Sequence, residues 1–319
     1  MLPAPPRRIV IGAESHEAIA AALTASRPDL AVRGNRMPAL TADDLAWGEC
    51  YVGFRRPPLP TLGAIRWVHC TGAGVDAWLH PTPLPDGVLL TRTSESYGPP
   101  IAEWAVARAL AYTQQLRALD EAQRGAQWAP RDIPLLAGSR VLVVGAGDIG
   151  THCARAFRAL GCHVTGVSRS GTARPDGDTP SPFHAMARVE ALAELLPEAQ
   201  LIVVTLPLTH DTRGLLSRAL LARCRGAHLL NAGRGAVIDE AALPEALDAG
   251  WLAQASLDVF ATEPLPADSP LWNNPRVVIS PHISGLTTVP GAVEGFLEAL
   301  ALLERGEQPQ WTVDQHRGY

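Results

Sequence analysis

Three glycines, Gly145, Gly147 and Gly150, stand in G-x-G-x-x-G spacing directly behind the apolar run RVLVV at 140–144 and ahead of the helix-forming segment THCARAF. A strand that ends in such a turn and leaves it as a helix belongs to a parallel sheet, because the helix carries the chain back along the sheet before the next strand. Each glycine has its own reason. The first permits the tight turn, the second lets backbone approach a pyrophosphate, and the third lets the helix pack close on the strand. Asp148 and Ile149 lie between the last two, where the N–H groups of a helix start face an anion. A plain strand-turn-helix would read similarly, but the strand before and the helix after are the context the motif requires.

The same alternation fills the rest of the C-terminal two thirds. Strand-like runs lie at 140–144, 162–167, 200–205, 227–230, 254–259 and 276–280, with helical segments at 149–160, 188–196, 217–223 and 239–249. Such a pattern implies a parallel sheet with helices on both faces. Upstream, a strand at 7–12, an alanine-rich helix at 15–26 and short apolar runs at 50–54, 66–70 and 87–91 read as a smaller α/β unit. A long amphipathic stretch, 99–123, is expected to leave that unit as one helix, and another at 288–305 closes the chain. The segment 170–183, rich in Pro, Gly and Asp, reads as a loop.

Composition removes several classes of chemistry. All 27 basic residues are arginine, so a Walker-type phosphate loop, a pyridoxal Schiff base and a lysine base are excluded. A net charge of −5 without a basic run argues against a nucleic-acid partner. The five cysteines, Cys50, Cys70, Cys153, Cys162 and Cys224, are odd in number and lack C-x-x-C spacing. Neither a zinc site nor a disulfide framework is expected, no metal is expected, and a reducing cytoplasm fits. The start lacks the apolar core of a signal peptide, and no apolar run is long enough to span a membrane.

The strand after the glycine turn discriminates between nucleotides. An NAD site usually places an acidic residue at its end to bind the ribose 2′-hydroxyl. Here that place holds Ser168, followed by Arg169 and Ser170. A guanidinium and two hydroxyls suit a 2′-phosphate. NADP(H) is therefore expected to be preferred, with NAD(H) possible and Arg169 the main discriminator; the competing reading makes Arg169 a solvated loop residue.

Three further segments carry polar residues where strands should end: LLNAGRGAVIDE with Arg234, ASLDVFATEPL with Asp258 and Glu263, and VVISPHISG with His282. Reduction of a 2-keto acid needs a cation for the carboxylate and a proton donor for the ketone oxygen. A guanidinium suits the first task and an imidazole the second. Glu263 can orient His282 and favour its charged form. Any one of these residues alone would more often be structural; the combination carries the argument.

In this order, G-x-G-x-x-G, N-A-G-R-G, L-D-V-F-x-x-E-P and S-P-H resemble the D-isomer-specific 2-hydroxyacid dehydrogenase family over essentially the whole chain. The resemblance implies two Rossmann-like domains: a doubly wound parallel-sheet nucleotide-binding domain at 99–284, and a smaller flavodoxin-like substrate domain at 1–98 plus 285–319. It implies Arg234 as substrate clamp, Glu263 as partner of the histidine and His282 as acid/base, with Asp258 at the nicotinamide amide. Leu206, Pro207 and Ala232 are expected along the cofactor. VHCTGAGVDAW is similar to the family's substrate loop, so the amides of Gly74 and Val75 are expected to meet the carboxylate, with Arg55 near the pocket. The helix from Pro99 resembles an element that builds a dimer interface; a homodimer is expected, with Trp128 either part of that contact or packed within the chain.

The ending VDQHRGY and the Ser168-Arg169 pair are similar to the short glyoxylate/hydroxypyruvate reductases within that family. They imply reduction of glyoxylate or hydroxypyruvate by NADPH. Gly233 before the arginine and Trp104 after Glu103 depart from commoner patterns and leave the substrate open. A bulkier 2-keto acid is the second enzymatic reading. A non-catalytic nucleotide-sensing corepressor on the same fold is the reading from another class.

Overall fold

Every ladder between strands among the described residues runs parallel. The computed structural model describes residues 4–80, 82–94, 96–173 and 179–319. The chain divides into two units, Met1–Tyr97 with Thr287–Tyr319, and Gly98–Leu286.

The first unit has five strands: β1 (Arg8–Gly12), β2 (Ala31–Asn35), β3 (Cys50–Val52), β4 (Trp67–Cys70) and β5 (Leu89–Arg92), in the order β2-β1-β3-β4-β5. This is the flavodoxin-like order. The helices His16–Ser26 and Val289–Glu304 supply one wall of its core, and Phe296 stacks on Trp67 at 5.1 Å between centroids. His69 is buried between Thr91 and Thr93 hydroxyls, and burial pushes its pKa down to about 3, so the ring is neutral. The C-terminal segment covers the sheet's edge: Thr312 bridges Thr91 in antiparallel fashion, and the Val313 N–H donates to Leu90 O at 2.9 Å. That pairing removes an open strand edge.

The second unit has seven strands: β6 (Arg140–Val144), β7 (His163–Ser168), β8 (Ala185–Arg188), β9 (Leu201–Val204), β10 (Ala227–Asn231), β11 (Leu252–Leu257) and β12 (Val277–Ile279). Their order, β12-β11-β10-β9-β6-β7-β8, reverses direction between β6 and β9. This is the doubly wound α/β arrangement, and ligands bind such sheets outside the carboxyl ends of the strands at the reversal. β6 and β9 are apolar along both faces within the sheet, as burial under helices on each side requires, whereas β10 and β11 share a buried polar contact, His228 Nε2 lying 2.9 Å from Ser256 Oγ.

Several expectations need correction. The stretch 99–123 is two helices, Gly98–Thr113 and Leu116–Arg124, broken at Gln115, whose backbone is left-handed with φ of 51°. Its side-chain amide donates to Asp132 O at 2.8 Å, which anchors the break. β2 and β8 were not anticipated. β2 (AVRGN) is an exposed sheet edge with no apolar face, and β8 (AMAR) is a short edge strand without a fully buried residue. Part of the 170–183 loop, 174–178, lies outside the described residues. Trp128 is 99% exposed, so packing within the chain does not cover it. All five cysteines are buried. Among the described residues no helix is long and apolar enough to cross a membrane.

Candidate active site

The expected residues of the second unit all follow the carboxyl ends of its strands. Because the sheet is parallel, those ends share one edge. After β6, Gly145 has φ of 115°, a conformation that L side chains avoid. Gly147 caps the helix Asp148–Ala159, and nothing lies within 4 Å of where its Cβ would point. A Cβ on Gly150 would sit 1.8 Å from Gly145 O. The turn is thus closed on its protein side and open at Gly147, which fits close approach of a pyrophosphate to backbone N–H groups. Asp148 and Ile149 begin the helix as expected.

The neighbouring turns pack backbone against backbone. Thr205 Oγ1 donates to Gly145 O at 2.8 Å, and a Cβ on Gly233 would meet Leu206 N at 2.9 Å. A Cβ on Gly235 would lie 1.9 Å from Phe260 C. The turns after β6, β9, β10 and β11, which carry Leu206, Pro207, Ala232, Arg234 and Asp258, therefore form one rim. Gly233 departs from alanine because the Leu206 backbone occupies the space a methyl would need.

Ser168 ends β7, with Arg169 and Ser170 exposed beyond it. Ser168 Oγ donates to Thr172 O at 2.8 Å, and the Ser170 and Thr172 hydroxyls are 2.8 Å apart, so the hydroxyls shape the turn. Arg188 was not anticipated. It is the ladder partner of Ser168 on β8, and its side chain lies against Gly171, where a Cβ would meet Arg188 Cγ at 2.9 Å. No periodicity marks so short an edge strand, so only the register brings this second guanidinium to the end of β7.

The Arg234 turn is held by Asn231, a second residue the motif reading gave no role. Asn231 Oδ1 accepts from Gly233 N at 3.1 Å, and its Nδ2 donates to Arg234 O at 3.1 Å. Glu263 and His282 meet: His282 Nδ1 lies 2.7 Å from Glu263 Oε2. A carboxylate accepts only, so Nδ1 carries the proton at this contact. Glu263 Oε1 also accepts from Phe260 N at 3.0 Å. Burial pushes the Glu263 carboxyl up. The bonds from His282 and Phe260 and the positive charges of His282 and Arg234 outweigh it, and the group sits below the usual carboxylate range.

Asp258 is fully buried beneath His282. Its Oδ1 accepts from Ser280 Oγ at 2.6 Å and Ile283 N at 3.0 Å, and its Oδ2 from Ser284 N at 2.9 Å. Its backbone oxygen accepts from His282 N at 2.8 Å. These bonds hold His282 in left-handed backbone, φ of 55°, where a non-glycine residue is disfavoured by roughly 1–2 kcal/mol. Trp104 Nε1 donates to Ser280 Oγ at 3.1 Å and extends the network.

In the first unit, the loop after β4 has its carbonyls held. Thr71 O accepts from Tyr97 OH at 2.7 Å, Ala73 O from Arg92 Nη1 at 2.7 Å, and Gly74 O weakly from Cys70 Sγ at 3.5 Å. Among the described residues, no protein acceptor takes the N–H of Gly72, Ala73, Gly74 or Val75. Consecutive free N–H groups of this kind suit an anion. Arg55 is exposed, and its carbonyl accepts from Tyr51 OH at 3.2 Å.

Comparison with known proteins agrees with this arrangement. The family model "D-isomer specific 2-hydroxyacid dehydrogenase, NAD binding domain" matches residues 106–284. The chain is 36% identical over 274 residues to glyoxylate/hydroxypyruvate reductase A of Serratia proteamaculans, covering 83% of this chain and 86% of that one. It is similar to a D-isomer specific 2-hydroxyacid dehydrogenase from Xanthobacter autotrophicus Py2, solved with NADPH and MES (TM-score 0.87, 33% identity, 98% of this chain and all of that one). It is also similar to an NADPH-dependent glyoxylate/hydroxypyruvate reductase from Sinorhizobium meliloti, solved with NADP and sulfate (TM-score 0.85, 29% identity, 98% and 99% covered). The chain belongs to the D-isomer-specific 2-hydroxyacid dehydrogenase family and is an oxidoreductase of the α/β, two-Rossmann-unit kind.

Proposed function

We propose that the protein is an NADPH-preferring reductase of small 2-keto acids of the size of glyoxylate and hydroxypyruvate, with His282 as general acid. The observation that carries this reading is the 2.7 Å contact of His282 Nδ1 with Glu263, on the same rim as Arg234 and the glycine turn. When bound, the nicotinamide supplies a hydride to C2 of the keto acid. As C2 gains that electron pair, the carbonyl π electrons move onto oxygen, which takes the proton of His282 Nε2 and becomes the hydroxyl. Glu263 holds the imidazole and offsets its charge, and solvent returns the proton to Nε2. Arg234 takes the carboxylate in a directional clamp, with the Gly74 and Val75 amides as further donors to it and Arg55 at the pocket.

For the cofactor, the turn Gly145–Gly150 takes the pyrophosphate, Leu206, Pro207, Ala232 and Asp258 follow towards the nicotinamide, and Arg169 with Ser168 and Ser170 takes the 2′-phosphate. Arg188 joins them as a second cation. This preference is supported by the missing carboxylate at the end of β7 and by the NADPH and NADP complexes of the two solved relatives.

A homodimer is also proposed, built on the exposed side chains of the 116–135 run. Trp128 is 99% and Leu135 76% exposed there, an apolar display that a partner would cover.

Steady-state NADPH oxidation against a dozen 2-keto acids, with NADH as control, tests the reading. Glyoxylate and hydroxypyruvate should give the highest kcat/KM. A preference for phenyl- or branched-chain acids overturns the substrate assignment, and no keto-acid-dependent oxidation at all overturns the function.

A further inference from the structure

The geometry points to Arg92 as a positioning residue that acts across the Ala73–Gly74 peptide to sharpen one amide for the acid substrate. The inference rests on the functional reading above, in which the Gly74 N–H meets a carboxylate.

Arg92 is the last residue of β5, and its Nη1 donates to Ala73 O at 2.7 Å. That carbonyl belongs to the same peptide unit as the Gly74 N–H. In a trans peptide the two groups point in opposite directions, so a guanidinium bonded to the oxygen leaves the N–H directed away from it. A charge-assisted bond to the oxygen draws electron density from the amide and makes its N–H a stronger donor. The next peptide lacks this: among the described residues, Gly74 O, on the unit that carries the Val75 N–H, meets only a thiol at 3.5 Å. The two expected donors are therefore unequal, and Gly74 is the one the protein polarises.

Arg92 is itself braced by the C-terminal segment. Its guanidinium lies 5.7 Å from the ring centroid of Trp311, and its own N–H donates to Trp311 O at 3.2 Å. The pairing of Thr312 with Thr91 fixes Trp311 at that place. A planar guanidinium against an indole, with one arm on a carbonyl, is a geometry that lysine cannot reproduce. Substrate affinity thus depends on a side chain that touches no substrate and on a tryptophan more than 200 positions from Arg92 in sequence.

The test compares Arg92→Met, Arg92→Lys and Trp311→Leu with the unmodified full chain. Arg92→Met should raise KM for glyoxylate about tenfold or more, with kcat much less affected, and with NADPH affinity and Tm unchanged. Arg92→Lys should recover part of the loss, and Trp311→Leu should move KM the same way by less. In the free protein, the Gly74 amide 15N and proton resonances should shift in Arg92→Met and, by less, in Trp311→Leu. Unchanged KM with unchanged Gly74 resonances overturns the inference. So does a parallel loss of kcat, NADPH affinity and Tm, which would make Arg92 a support for the whole unit. If the unmodified enzyme turns over no keto acid, the functional reading falls, and the Gly74 resonances still decide whether Arg92 acts on that peptide.

Discussion

His282 Nδ1 and Glu263 Oε2 are 2.7 Å apart, and the histidine reaches that contact from a left-handed backbone held by buried Asp258. The ring nitrogen facing the carboxylate is fixed, and so is the one left for chemistry. Replacing His282 with Ala should lower kcat by roughly 10²–10⁴-fold, while NADPH binding followed by fluorescence stays close to that of the unmodified protein. Near-normal turnover in that variant would remove His282 from the proton transfer.

The depressed titration of Glu263 sets a sign for the pH profile. A carboxyl held below the usual carboxylate range in the folded protein stays ionised while ordinary carboxylates protonate. Its pairing with His282 is present above the unfolded-state value and is lost only as pH falls through the lower folded-state one. Reductive kcat/KM should therefore hold through the usual carboxylate range and fall below it. Glu263→Gln should lower the rate throughout and abolish that acid limb. An acid limb in the unmodified enzyme at or above the usual carboxylate range would contradict the assignment.

Gly147 and Gly150 should fail in different ways when given a methyl group. A Cβ on Gly147 meets no protein atom, whereas one on Gly150 meets Gly145 O at 1.8 Å. Gly147→Ala should keep its Tm and lose NADPH affinity. Gly150→Ala should lose both, because the turn itself must move. Equal thermal denaturation of the two variants would show that the space beside Gly147 is not kept for a ligand.

Arg169→Ala should reduce the ratio of NADPH to NADH kcat/KM by roughly 10- to 100-fold, the range for losing a hydrogen bond to a charged group. Arg188→Ala should act in the same direction by less. If neither variant alters the ratio, the 2′-phosphate is not held at the end of β7.

Trp128→Ser should convert a dimer to a monomer in sedimentation velocity without lowering the amide signature of a folded chain. A wild-type monomer, or an unaltered dimer in the variant, would set aside the proposed interface.

Much of this was legible in the sequence, because the legible parts rest on local rules. The glycine turn after β6 follows from which residues tolerate positive φ and close approach, and the buried strands β6 and β9 announce themselves as unbroken apolar runs. What escaped depends on partners distant in the chain. β2 and β8 are edge strands whose residues need no apolar face, so nothing in AVRGN or AMAR sets them apart from loop. The break at Gln115 depends on an acceptor at Asp132, which helical periodicity does not report. The same limit hid Arg188 and Arg92: register and tertiary pairing bring each to its site. Asn231, by contrast, was in plain view in N-A-G-R-G, and only the two bonds around Arg234 disclose why it is there.

The stack of Phe296 on Trp67 has a bearing on how the protein is made. The unit Gly98–Leu286 is one uninterrupted stretch, so all of its strands are synthesised before helix Val289–Glu304 exists. The amino-terminal residues emerge first but are missing a wall of their core until that helix arrives. Synthesis from the amino terminus therefore reverses the usual sequence in which a nascent chain's first domain closes first. The Gly98–Leu286 unit is complete in sequence first, and the β1–β5 sheet lacks one wall of its core until helix Val289–Glu304 has been made.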